Sequence, residues 1–198
     1  MEERDAGQPD LAEHRDIETV YQPAEDSQLL ADAVVEAVEP GDRLLDVGTG
    51  SGYVAHRAGE AGARVVGSDL NPEACEQAAE AGVPVVRADL TSAFRDESFD
   101  VVTFNPPYLP EPEEGGWGDW METALSGGED GRAVVEPFLD DVDRVLAPGG
   151  RVYLLVSTLT GLDEVREYAA DRGLAATELT RESFSFEQLL VLELTPTE

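Results

Sequence analysis

Lysine is absent from these 198 residues, and isoleucine occurs once, as Ile17. All thirteen cationic side chains are arginine, and 43 acidic ones oppose them for a formal net charge of −30. A protein that grips nucleic acid by neutralising phosphates needs cations to release condensed counterions, and this chain has few. Direct nucleic-acid binding is therefore disfavoured. So acidic a chain reads as one solvated for a high-salt cytoplasm, where screening damps self-repulsion, or as a surface suited to one basic partner. The single cysteine, Cys75, cannot close an internal disulfide, and no metal-ligand pattern accompanies His14 or His56. No metal is expected. No apolar run reaches the length of a membrane span. The start, MEERDAGQPD, has neither a basic n-region nor an apolar h-region, so no signal peptide is visible and a cytoplasmic location is expected.

What is there suits one domain with an ordinary core, 41% of the residues being hydrophobic. Residues 1–19 are polar, charged and aperiodic, and read as a flexible acidic leader to a domain over 20–198. From Gln28 to Val38 apolar residues recur at helical spacing, with Asp26 and Ser27 as candidate caps. Short apolar runs then alternate with helical patterns. Strands are predicted at Arg43–Val47, Arg64–Ser68, Pro84–Ala88, Asp100–Phe104 and Arg151–Val156, and helices at Gly52–Glu60, Pro72–Ala81, Arg132–Leu146 and Leu162–Arg172. That alternation implies an α/β fold with a parallel sheet covered on both faces. Leu174–Thr180 and Gln188–Leu194 follow without a helix between them and should close the sheet as an antiparallel pair. Leu109–Gly131 breaks the rhythm: it is a long stretch carrying Trp117 and Trp120, and reads as a functional lid or a disordered insert.

Three acids fall at the ends of successive strands. Asp46 opens DVGTGSG, where Gly48, Gly50 and Gly52 allow a sharp turn and close approach to a ligand. A dinucleotide fingerprint needs glycine three places after Gly50, where Tyr53 stands instead. A carboxylate there repels a pyrophosphate but can accept bonds from a ligand bearing an ammonium group. Asp69 is placed to accept the two hydroxyls of a ribose. Asp89 can take a hydrogen bond from the exocyclic amine of an adenine, with Leu90 packing the ring. Each Asp alone reads more readily as a loop or cap residue. Three on one edge of the sheet, where ligands bind open parallel sheets, argue for a site.

Asn105-Pro106-Pro107-Tyr108 follows the fourth strand. With it the sequence resembles the class I S-adenosylmethionine-dependent methyltransferases of the NPPY type, which methylate a planar amide or amino nitrogen. The resemblance implies a single Rossmann-like domain with a seven-stranded, mostly parallel sheet and helices on both faces. The lone pair of such a nitrogen is delocalised, so it is a poor nucleophile. The side-chain carbonyl of Asn105 and the backbone carbonyl of Pro106 can each accept one of its N–H groups, returning density to nitrogen and aiming it. The prolines stiffen that backbone, Tyr108 offers a flat face, and orientation alone can supply up to roughly 7–11 kcal/mol.

VYQPAEDSQLL (20–30) and SGGEDGR (126–132) narrow the resemblance to the HemK-type protein glutamine methyltransferases, in their short archaeal and eukaryotic form. It implies that Ser27, Asp46, Gly48, Gly50, Asp69, Asp89, Leu90 and Asn105 hold S-adenosylmethionine, while Asn105, Pro106 and Tyr108 bind the acceptor. The implied acceptor is the glutamine of the Gly-Gly-Gln loop of a translation release factor. The implied partner is a small zinc-binding activator subunit pairing with strand Pro84–Ala88. Adenine N6 in DNA or RNA and a protein lysine remain alternative acceptors, and a non-catalytic binding subunit a third reading.

Overall fold

Seven strands pair through their backbone hydrogen bonds in one sheet, seen in a computed structural model that describes residues 20–109 and 125–197. In chain order the elements are α1 (Glu25–Ala37), β1 (Arg43–Val47), α2 (Tyr53–Glu60), β2 (Arg64–Asp69), α3 (Pro72–Glu80), β3 (Val85–Arg87) and β4 (Phe99–Phe104). There follow α4 (Val135–Val145), β5 (Leu146–Ser157), α5 (Leu162–Asp171), β6 (Leu174–Ser183) and β7 (Gln188–Pro196). The sheet runs β3-β2-β1-β4-β5-β7-β6. β1 to β5 are parallel, and β7 is antiparallel to both β5 and β6. This is the expected seven-stranded α/β fold.

Alternation along each strand sends neighbours to opposite faces. Leu45 and Val102 point toward α4 and α5, packing with Phe138, Val142 and Val165. Leu44 and Val101 point the other way, against Leu30 and Val34 of α1 and Val54 of α2. A smaller cluster of Ala55, Ala78 and Val83 seats α3 on α2. The chain turns away from β1 to β2 on one side and returns to β4 on the other. The crevice this leaves at the carboxyl ends of the strands is where such sheets take ligands.

The structure corrects several boundaries. α1 starts at Glu25, with Ala24 as an N-cap that makes no side-chain cap bond. Asp26 and Ser27 are thus not caps but buried residues of its first turn. Asn71 is the expected cap of α3, its side chain accepting the Glu73 N–H at 3.0 Å. α4 begins at Val135 rather than Arg132, with Pro137 in its first turn, where its missing N–H costs no helical bond. β5 takes over Leu146 and pairs it with Phe99 before an irregularity at residues 99 to 101. The predicted lid is described only at its base, where Leu109 bridges Ser126. Trp117 and Trp120, like the leader 1–19, lie outside the described residues.

Candidate active site

The loop after β1 is built by its glycines and by two carboxylates. Gly48 and Gly50 take φ of +59° and +54°, a backbone region costly for a residue with a Cβ. The Gly50 N–H donates to Asp69 Oδ2 at 2.9 Å, and Asp69 Oδ1 accepts the Asn71 N–H at 2.9 Å. Burial raises the Asp69 carboxyl above its usual pKa, against the lowering effect of these N–H donors. Asp46 is deeper. Its Oδ2 accepts the Thr49 hydroxyl and its Oδ1 the Thr103 hydroxyl, both at 2.7 Å. Burial lifts its carboxyl from 3.8 to about 6, opposed by those two hydroxyls and the Ala55 N–H. Asp46 thus ties the loop to β4, with only its remaining lone pairs left for a ligand.

Beside this loop lies a cavity of about 250 Å³. Ser27, Asp46, Gly48, Gly50 and Asp69 line it, as do Asp89, Leu90, Asn105 and Pro107. Every residue expected to hold the cofactor therefore meets in one place. Asp89 stands exposed at the rim. Leu90 next to it has φ of +47°, a conformation that favours glycine, here imposed on a leucine that lines the cavity.

A second cavity of about 30 Å³ adjoins the first, sharing Tyr21, Asn105 and Pro107 with it. Pro106 and Tyr108 line only this smaller one, so the four residues Asn105–Tyr108 straddle the two. Asp26 forms its floor with 3% of its surface exposed. Its carboxylate accepts the Tyr21 hydroxyl at 3.1 Å, the Ser27 N–H at 2.6 Å, Asn105 Nδ2 at 3.1 Å and the Tyr108 hydroxyl at 3.5 Å. Burial, then the charge of Asp26, pushes both phenols above their usual pKa. Asn105 Oδ1, by contrast, is buried with no hydrogen-bond partner. Such a carbonyl is costly unless a ligand completes it.

Sequence reasoning missed Asp26 and Tyr21 as site residues. A signal was present: Asp26, Leu30 and Val34 form one i, i+4, i+8 stripe, and all three are buried. An acid on an apolar stripe points inward, not at a cap.

Comparison with known proteins fits this geometry. A family described as a methyltransferase domain matches residues 45–106. A Methanocaldococcus jannaschii protein provisionally named a protein N5-glutamine methyltransferase is 34% identical over 180 residues, covering 87% of this chain and 90% of that one. The chain belongs to the HemK-type protein glutamine methyltransferases. Its human relative, methyltransferase HEMK2, is 32% identical over 89% of each chain. Among solved structures, a chain of the E. cuniculi Mtq2–Trm112 complex, which methylates the termination factor eRF1, superposes with a TM-score of 0.76. It is 30% identical and covers 91% of this chain and 99% of that one.

The cofactor of this HemK-type methyltransferase is S-adenosylmethionine, and the residues present fit it. The larger cavity offers acids for a ribose and an amine, a glycine turn for close approach, and apolar walls at Leu90 and Phe104. The unpartnered Asn105 carbonyl lies where the two cavities join.

Proposed function

We propose that the chain methylates the side-chain amide of the glutamine in the Gly-Gly-Gln loop of a translation release factor, as the catalytic subunit of a complex with a small activator protein. The observation that carries this reading is the buried, unpaired Oδ1 of Asn105 beside a cavity of only about 30 Å³. That carbonyl is an acceptor placed for one N–H of a planar amide. S-adenosylmethionine supplies the methyl group on a cationic sulfur and leaves as the neutral thioether. Asn105 Oδ1 and the Pro106 carbonyl each accept one amide N–H, restoring electron density to the nitrogen and fixing its direction. The nitrogen forms its new bond to carbon and sheds one hydrogen as a proton to solvent. Tyr108 covers one face of the amide.

In the cofactor cavity, Asp69 takes the ribose hydroxyls, Asp89 the exocyclic amine, and Leu90 the adenine ring. Ser27, Asp46, Gly48 and Gly50 hold the amino-acid end. β3 supports the partner assignment. Among the described residues it pairs only with β2, Val86 on it is 38% exposed, and Leu70 beside it is also open. A strand edge of that kind needs covering. The activator is a zinc-binding protein that adds a strand there, giving a heterodimer. The acidic, lysine-free composition fits a high-salt archaeal cytoplasm, with 1–19 as a flexible leader to the domain over 20–198.

The test is labelled methyl transfer from S-adenosylmethionine, activator present, to purified release factor and to total RNA and DNA. Label on the release factor, lost with Asn105→Ala, is expected. Label in nucleic acid alone overturns the reading.

A further inference from the structure

The Asn105 amide has nearly the same shape whichever way round it sits, yet its proposed task needs the oxygen, not the nitrogen, facing the acceptor. We infer that Asp26 is a positioning residue that locks the Asn105 amide with its oxygen toward the acceptor. This rests on the reading of Asn105 as the group that receives the acceptor's N–H.

The argument is one of donors and acceptors. An ionised carboxylate only accepts. Asn105 Nδ2 lies 3.1 Å from Asp26 Oδ2, and a flipped amide would set two acceptor oxygens against each other there. Oδ1 is therefore forced to the opposite side, where it has no partner among the described residues. Ser27 Oγ gives its hydrogen to Asp26 Oδ1 at 3.2 Å and so also faces the same nitrogen, 3.5 Å away, as an acceptor.

Asp26 is itself held fast. Its partners are the Tyr21 and Tyr108 hydroxyls, the Ser27 N–H and Oγ, and Asn105. Among the described residues no cation joins them. A buried carboxylate without a counter-ion is expensive, and donors converging on it offset the lost hydration. As a helix cap the same residue would sit at the surface and need none of this. Tyr21 comes from the segment before α1, and Tyr108 from the end of the Asn105–Tyr108 motif. The carboxylate thus also joins the cofactor side of the site to the acceptor side.

The experiment compares Asp26→Asn, Asn105→Asp and the double variant Asp26→Asn/Asn105→Asp in complex with the activator. With asparagine at 26, the Ser27 N–H holds the new amide's oxygen at the Oδ1 position, so its NH₂ meets the Asn105 NH₂ and the favoured remedy is a flipped Asn105 amide. The expected result is a kcat lower on the order of 100-fold for Asp26→Asn. KM for the acceptor and affinity for S-adenosylhomocysteine by calorimetry should stay within about threefold, and the thermal unfolding midpoint within a few degrees. In the double variant the amide at 26 donates to the carboxylate at 105, which leaves an oxygen facing the acceptor. Its kcat should exceed that of either single variant about tenfold or more.

A second readout needs no turnover. The Asn105 side-chain NH₂ proton facing Asp26 should be protected from exchange in the wild type and lose that protection in Asp26→Asn. An unchanged kcat, a loss confined to cofactor affinity, or an unchanged amide proton overturns the assignment. Turnover is measured on whichever acceptor takes label. If the release factor fails as acceptor while the amide proton behaves as expected, the glutamine reading falls and the positioning role stands.

Discussion

Asp69, at the end of β2, accepts the N–H of Gly50, in the loop after β1, at 2.9 Å. One side chain thereby shapes the glycine turn and forms part of the cavity wall. Asp69→Ala leaves the N–H groups of Gly50 and Asn71 without their acceptor, costing about 1–3 kcal/mol for each group that water cannot reach. Calorimetry should show S-adenosylhomocysteine affinity reduced more than about tenfold. Unchanged affinity would remove Asp69 from the cofactor site.

Asp46 makes stability depend on pH in an unusual direction for a carboxylate. Its carboxyl is raised by burial from 3.8 to about 6, so between those values the folded chain binds a proton that the unfolded chain has released. The contribution is complete below about pH 4 and is lost as pH rises through about 6. Relative to Asp46→Asn, the wild type should lose about 3 kcal/mol across that window. Urea unfolding of both proteins at fixed salt measures the difference, and parallel pH profiles would refute it.

Leu90 sits at φ of +47°, which costs a branched side chain about 1–2 kcal/mol. Leu90→Gly removes that strain together with the apolar wall. Stability should stay within about 1 kcal/mol of the wild type while S-adenosylhomocysteine binds several-fold more weakly. Tighter binding would show that Leu90 obstructs the cavity rather than lining it.

Salt should stabilise this chain. Its bidentate surface pair Arg43–Asp100 and the pair Arg181–Glu178 weaken on screening, but exposed pairs contribute little. Thirteen arginines leave most of the 43 acids unmatched, and their repulsion falls as salt shortens the screening length from about 10 Å at 0.1 M to about 3 Å at 1 M. The unfolding midpoint should therefore climb by several degrees over that range. A falling midpoint would mean that the ion pairs outweigh the excess charge.

Val86, exposed on the outer edge of β3, tests the partner surface. Val86→Lys places a charge where an added strand would pair, while leaving the β2–β3 register intact. Co-purification with the activator should be lost and the stability of the isolated chain should change by less than about 0.5 kcal/mol. Retained association would move the interface elsewhere.

Much of this architecture is legible in residue order because strands and helices announce themselves by period. Arg43–Val47 begins at an exposed arginine, continues as an unbroken buried run, and ends where the following glycines require. Asn71-Pro72 marks the start of α3 through cap and ring geometry. Asn105–Tyr108 is identifiable because two prolines cannot continue β4. What the order of residues conceals depends on tertiary register. Thr103 reaches Asp46 only because β1 and β4 pair those two residues across the sheet. Asp26 looks like a cap until the helix is known to start one turn earlier, after Pro23, which swings it beneath a motif 79 residues away.

Except for Val134, every described residue lining the larger cavity precedes Tyr108. Yet Phe104 in its wall is backed by Phe138 of α4, the ring centroids 4.6 Å apart. Altering α4 would therefore unsettle that wall, whereas the β6–β7 hairpin contributes none of the described lining and can change without touching it.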